Sequence, residues 1–168
     1  MRIHLSKPCR SPAFKDRRTL LLAARRAAEL VREVSGRPVV GSGILNVVLV
    51  PRPLMRQLNE DFLGHGGDTD VIAFDYTGDE QMPGGEGVSD ERVVSGEIYV
   101  CLPVAVDAAA EHGTSVSFEV LLYIVHGLLH LAGCDDHADR ERRQMRRLEQ
   151  QIMFAVETEF GAVDVFHG

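Results

Sequence analysis

Two histidines four residues apart, His126 and His130, close an otherwise apolar stretch and are followed by Gly133, Cys134, Asp135, Asp136 and His137. Residues i and i+4 of a helix project from one face about a turn apart, so these two imidazoles can converge on a single ion. Gly133 can take the left-handed conformation that ends a helix, which turns the chain and brings the next four side chains back toward the same point. Two ligands from one helical turn and a third from beyond the glycine leave the fourth tetrahedral position open. That is the arrangement of a catalytic zinc rather than a closed structural one. Asp135, Asp136 and His137 also suit capping of the following helix, and one of them can cap while another binds.

The residue after the first histidine narrows the chemistry. Zinc peptidases of the His-Glu-x-x-His type carry a general-base glutamate there, whereas this chain has Gly127, which argues against hydrolysis of peptides or small esters by that route. Gly127 either leaves room beside the ion for a bulky phosphodiester or permits close helix packing. The sequence does not choose between the two.

These residues need a scaffold. Residues 118–131 are apolar at nearly every position before His126 and predict a helix that runs through the core. Ser115 or Ser117 is its cap, and Glu119 lies in its first turn. Helices are also expected over 13–34, entered at Ser11-Pro12, after Pro51 or Pro53 with Leu54, Leu58 and Phe62 on one face, over 104–111 and over 138–160. Short apolar, branched or Gly- and Pro-bounded runs predict strands at 3–5, 43–50, 70–76 and 96–102. The fold class is therefore α/β (α+β), about four strands packed with about five helices, in one domain over 1–168. Residues 77–95 combine glycines, acids and little apolar surface, and are expected to form a mobile loop.

The 45% hydrophobic and 26% charged residues are ordinary globular values, and no apolar run approaches the roughly 20 residues of a membrane helix. A soluble protein without a membrane partner is expected. Cys9, Cys101 and Cys134 are few, odd in number and scattered, and no secretory pattern opens the chain, so a reducing cytoplasm without disulfides is expected. The net charge of -7 is uneven: residues 1–40 carry +7 and the remainder -14. A local basic face is thus possible, with Arg17, Arg18, Arg25 and Arg26 its densest part, unless these arginines only solvate the outer side of a helix.

The string His126-Gly-Leu-Leu-His130-Leu-Ala-Gly133-Cys-Asp resembles the signature His-Gly-x-Leu-His-Leu-x-Gly-Tyr-Asp-His of the YbeY family of bacterial endoribonucleases. Leu58-Asn59 through Thr69-Asp70-Val71-Ile72-Ala73-Phe74 is similar to the family's Leu-Asn to Thr-Asp-Val-Leu-Ser-Phe segment, and Ser95-Gly96-Glu97-Ile98 to its Gly-Asp-Ile strand. The resemblance implies a small mixed sheet packed with helices and a zincin-like metal helix holding one zinc on three protein ligands. It also implies a single-strand-preferring endoribonuclease that matures the 3′ end of 16S rRNA on the small ribosomal subunit and serves ribosome quality control. The alternative is a non-catalytic RNA-binding or ribosome-assembly factor whose zinc only orders the fold.

Three positions depart from the family pattern. The place of the third histidine, ten residues after the first, holds Asp136, and His137 lies one further. Asp136 is placed ahead of His137 because it needs no insertion after Gly133. Leu63 stands where the family has an arginine suited to clamp phosphate, so His65 or the four arginines named above are the candidates to replace it at the substrate. Cys134 stands for a tyrosine and is read as a packing residue before a soft ligand.

Overall fold

The computed structural model describes residues 1–9, 11–39, 43–64, 66–77 and 94–167. His65 and nearly all of the expected loop 77–95 lie outside the described residues, although Val94 and Ser95 at its end are strand.

Among the described residues, four strands build one sheet in the order β1 (Arg2–Ser6), β2 (Ile44–Val50), β4 (Val94–Cys101), β3 (Val71–Asp75). β1, β2 and β4 run parallel, and β3 is an antiparallel edge. Alternation decides the faces: Ile3, Leu5, Leu45, Val47, Leu49, Ile98 and Val100 turn inward and are buried. On the opposite face Glu97 ties three strands together. It accepts from Asn46 Nδ2 at 3.1 Å, Tyr76 Oη at 3.0 Å and Tyr99 Oη at 2.7 Å.

Against the inward face lie α1 (Arg17–Ser35) and α4 (Val116–Leu131), with α3 (Leu102–His112) and α5 (Asp139–Phe160) packed on α4. α4 is apolar all round because it has neighbours all round: Val120, Ile124, Val125, Leu128 and Leu129 are wholly buried. Ser115 caps it, its Oγ accepting from Phe118 N–H at 3.0 Å. Ser117 is buried instead and accepts the amide of Val165 in the C-terminal tail.

Two expectations change most: where α1 begins and which face of α2 is buried. α1 begins at Arg17 rather than near Pro12, because Lys15 N–H donates to Val165 O at 2.8 Å and Phe14 stacks on Phe166 at 5.1 Å. Asp16 then becomes the cap, accepting from Thr19 N–H. α2 (Arg52–Leu58) does not bury the series Leu54, Leu58, Phe62. Met55 and Asn59 face inward, while Leu54 and Phe62 are exposed, and the helix widens into a π turn over Asn59–Leu63 that shifts the phase of whatever follows.

Candidate metal centre

The last turn of α4 ends in a Schellman-type stop. Gly133 takes φ 77°, and Cys134 N–H reaches back to Leu129 O at 3.0 Å. Asp135 then organises the return, its Oδ1 accepting the amides of Asp136 at 2.7 Å and His137 at 3.3 Å. This turn swings Asp136 back over the helix end it has just left.

The result is a three-residue cluster of His126, His130 and Asp136, whose ligand atoms all lie within 4.8 Å of one another. His126 Nε2 and His130 Nε2 are 2.9 Å apart, and the Asp136 carboxylate stands 3.8 Å from the first and 3.9 Å from the second. These separations bracket the roughly 3.3 Å between neighbouring donors on a tetrahedral zinc with bonds of 2.0–2.1 Å. The donor set therefore fits such an ion. Its three side chains are 24%, 32% and 36% exposed, so one side of the cluster is open to an incoming group.

Glu149 of α5, which sequence reasoning did not pick out, completes the arrangement. Its Oε1 lies 2.6 Å from His126 Nδ1. A carboxylate only accepts, so Nδ1 carries the proton and the Nε2 lone pair faces the cluster. Burial pushes the His126 imidazole down, but the hydrogen bond and charge of Glu149, with Asp70 and Asp136, outweigh it and the net shift is upward. Burial, and then its neighbour His126, hold His130 below the usual range. Nothing local marks Glu149 in the sequence: it lies 23 residues beyond His126, and only the antiparallel return of α5 brings it there. Asp70, at the head of β3, acts on His126 through its charge while its Oδ1 accepts from Val71 N–H at 2.9 Å.

His137 is turned out of the cluster. Its side chain is 85% exposed and pairs with Asp135, which raises the imidazole and lowers the carboxyl. Cys134 is half-buried and packs against the core. The room beside Gly127 is occupied by protein: a Cβ there would stand 2.9 Å from Ile98 Cγ2. The glycine thus serves close approach of α4 to β4 rather than space for a substrate.

The four arginines of α1 are not gathered at the cluster. Arg37 Nη1 reaches Gly133 O at 3.4 Å, so the C-terminal end of α1 is the end beside the metal turn. Arg17 and Arg18 open that helix, on the order of 25 Å away along its axis. Arg17 donates to Leu5 O, and Arg26 is held by Glu29, Glu33 and Glu159. Arg18 and Arg25 are exposed on the outer side. Leu63, in the place of the family arginine, is 49% exposed, and the nearby Arg52 and Arg56 are engaged by Asp68.

Residues 16–157 match the family described as Endoribonuclease YbeY. The Endoribonuclease YbeY of Elusimicrobium minutum is 41% identical over 103 residues, which span 61% of this chain and 67% of that one. That of Salinibacter ruber is 39% identical over 112 residues, 67% of this chain and 69% of that one. A protein of Thermotoga maritima, known from its solution structure, is similar in fold, with a TM-score of 0.57 at 25% identity across 94% of this chain and 91% of that one. With a match that takes in every element from α1 to nearly the end of α5, the chain belongs to the YbeY family of endoribonucleases.

Proposed function

We propose that this chain is a zinc-dependent endoribonuclease that prefers single-stranded RNA, works in the cytoplasm, and acts in 3′-end maturation of 16S rRNA and in ribosome quality control. The family supports phosphodiester cleavage in RNA. The observation that carries the metal dependence is the convergence of His126 Nε2, His130 Nε2 and the Asp136 carboxylate, with Glu149 fixing the tautomer of the first. A zinc ion held there would supply Lewis acidity toward a phosphodiester oxygen and toward water.

The chain's own residues prepare that site in three ways. Glu149 keeps the proton of His126 on Nδ1, away from the ligand side. Burial, and then the neighbouring His126, lower the His130 imidazole and so favour the form that can donate a lone pair. Asp135 holds the turn that presents Asp136, and Arg142 donates to the carbonyls of Asp136 and His137 from the first turns of α5. With Asp136 in place of a third imidazole the donor set is less positive, and a zinc held there would acidify water less strongly.

The non-catalytic reading asks the metal to hold the fold. Against it, the apolar core around Leu121, Ile124, Leu128 and Ile152 is complete without the cluster, which sits at the rim. The test is cleavage of matched single-stranded and structured RNAs by the wild type, His130→Ala and Asp136→Ala, with bound zinc measured for each. The expected result is about one zinc per wild-type chain, preferential cutting of the single strand, and loss of both in the variants. Cleavage unchanged in variants free of metal would overturn it.

A further inference from the structure

The helix that supplies Glu149 carries a second feature that the metal cluster does not use. Between residues 140 and 147 it places Arg140, Arg142, Arg143, Arg146 and Arg147. Arg142 is committed to Asp139 and to the metal turn. Arg140, Arg143, Arg146 and Arg147 are all exposed, and none has a hydrogen bond or ion pair among the described residues. Arg140, Arg143 and Arg147 surround, with Gln144, an open hollow of about 390 Å3.

This arrangement works against the helix. Like charges three and four residues apart repel, and the N-terminal half of a helix is its positive end, where cations are least welcome. Packing gives no reason for it, because the buried side of α5 is Met145, Ile152, Met153 and Val156. In a chain of net charge -7 such a face is also the place where a polyanion meets least repulsion.

Its position gives it a use. At about 100° per residue, Arg142 lies on nearly the same side of α5 as Glu149, and Arg146 is turned only some 60° from Glu149. Arg143, Arg147 and Arg140 follow at about 120–180° from Glu149, so the arginines run from Arg146 on the flank nearest the cluster round to the solvent face of α5, and they begin four residues after Asp136.

We propose that Arg140, Arg143, Arg146 and Arg147 form the docking face for the phosphate backbone of single-stranded RNA, leading it to the His126, His130 and Asp136 cluster. The proposal rests on the endoribonuclease reading for the identity of its polyanion. It also gives the substrate contacts a different helix from α1, where Arg17 and Arg26 are engaged within the fold and Arg17 and Arg18 stand at the end away from the cluster. Guanidinium groups suit this role because they pair with phosphate oxygens through two parallel N–H bonds.

The test is binding of a short fluorescein-labelled oligouridine to the full chain by fluorescence anisotropy across a salt series. Arg143→Gln/Arg147→Gln is compared with Arg18→Gln/Arg25→Gln, which removes the same charge from α1. The α5 pair is expected to weaken binding about tenfold at low salt and to reduce the salt slope by about 1.4, at roughly 0.7 per lost phosphate contact. The α1 pair is expected to change affinity less than about twofold on the same scale. Melting temperature should stay level or rise in the α5 pair, since repulsion is relieved. Equal losses from both pairs, or undiminished binding by the α5 pair, would overturn the docking face. His130→Ala separates the two claims, because it should bind oligouridine like the wild type while cutting nothing. If the wild type also cuts no RNA but the α5 pair still loses binding, the enzyme reading fails and the docking face stands.

Discussion

In the proposed metal site three ligand groups carry the chemistry, and a fourth group decides whether they are available. His126 can ligate through Nε2 only while its other nitrogen keeps the proton, and Glu149 is what keeps it there. Glu149→Gln, similar in shape but uncharged, is predicted to weaken zinc binding by about 10- to 100-fold, read by competition with a chromophoric chelator, with the fold intact. The same contact sets a pH dependence. With His126 raised in the metal-free protein, its contribution to stability is complete below the unfolded value near 6.5 and is lost as pH rises through the higher folded value. Zinc needs the neutral ring, so affinity should begin to fall, on acidification, at a pH above 6.5. In Glu149→Gln that onset should move to lower pH, and an onset that did not move would refute the role given to Glu149. The histidine pair and the aspartate were legible as sequence because one helical turn and one glycine stop relate them. Glu149 was not, since its relation to His126 exists only after α5 has folded back.

At the scale of elements, the site depends on how closely α4 approaches the sheet. Gly127 sets that approach at Ile98, a wholly buried residue of the inner strand β4. Gly127→Ala would gain about 1 kcal/mol of helix propensity. The added methyl meets Ile98 Cγ2 at 2.9 Å, and overpacking of this kind costs about 1–3 kcal/mol, so the expected net effect is loss of stability. Denaturant unfolding should show it, and Gly127→Ala should cost less in an Ile98→Ala background than in the wild type, because the clash is gone there; a more stable single variant would contradict the packing role. Local signals placed most elements: helical spacing for α1, continuous apolar character for α4, and branched residues bounded by Gly and Pro for β2. They failed where another force intervened: the C-terminal tail took Phe14 and Lys15 from the start of α1, and the π turn after Leu58 left Phe62 in solvent. The arginines of α5 were in plain view as letters, yet only the folded helix shows that four of them are exposed and have no partner among the described residues.

For the whole molecule, the apolar core and the metal cluster are separate assets. The core closes between α1, α4, α5 and the sheet, while the cluster sits where α4 ends and α5 begins. Removing the metal should therefore cost only the linkage term, about 3 kcal/mol at a hundredfold excess over Kd, or roughly 5–10 °C in Tm, with one cooperative transition retained. Outright unfolding on chelation would instead favour a zinc that orders the fold. The charge map also belongs to this scale. The basic excess of residues 1–40 pointed to α1, but two of the four arginines named there are spent within the fold, whereas α5, the helix that follows the metal turn, carries four exposed arginines without a partner among the described residues. The central claim, that a metal on His126, His130 and Asp136 cuts RNA, is tested most directly by stripping the protein of metal and titrating zinc back while following cleavage of a single-stranded RNA. Activity should be absent at the start and saturate near one equivalent; full activity in the stripped protein, or none at any zinc level, would contradict it.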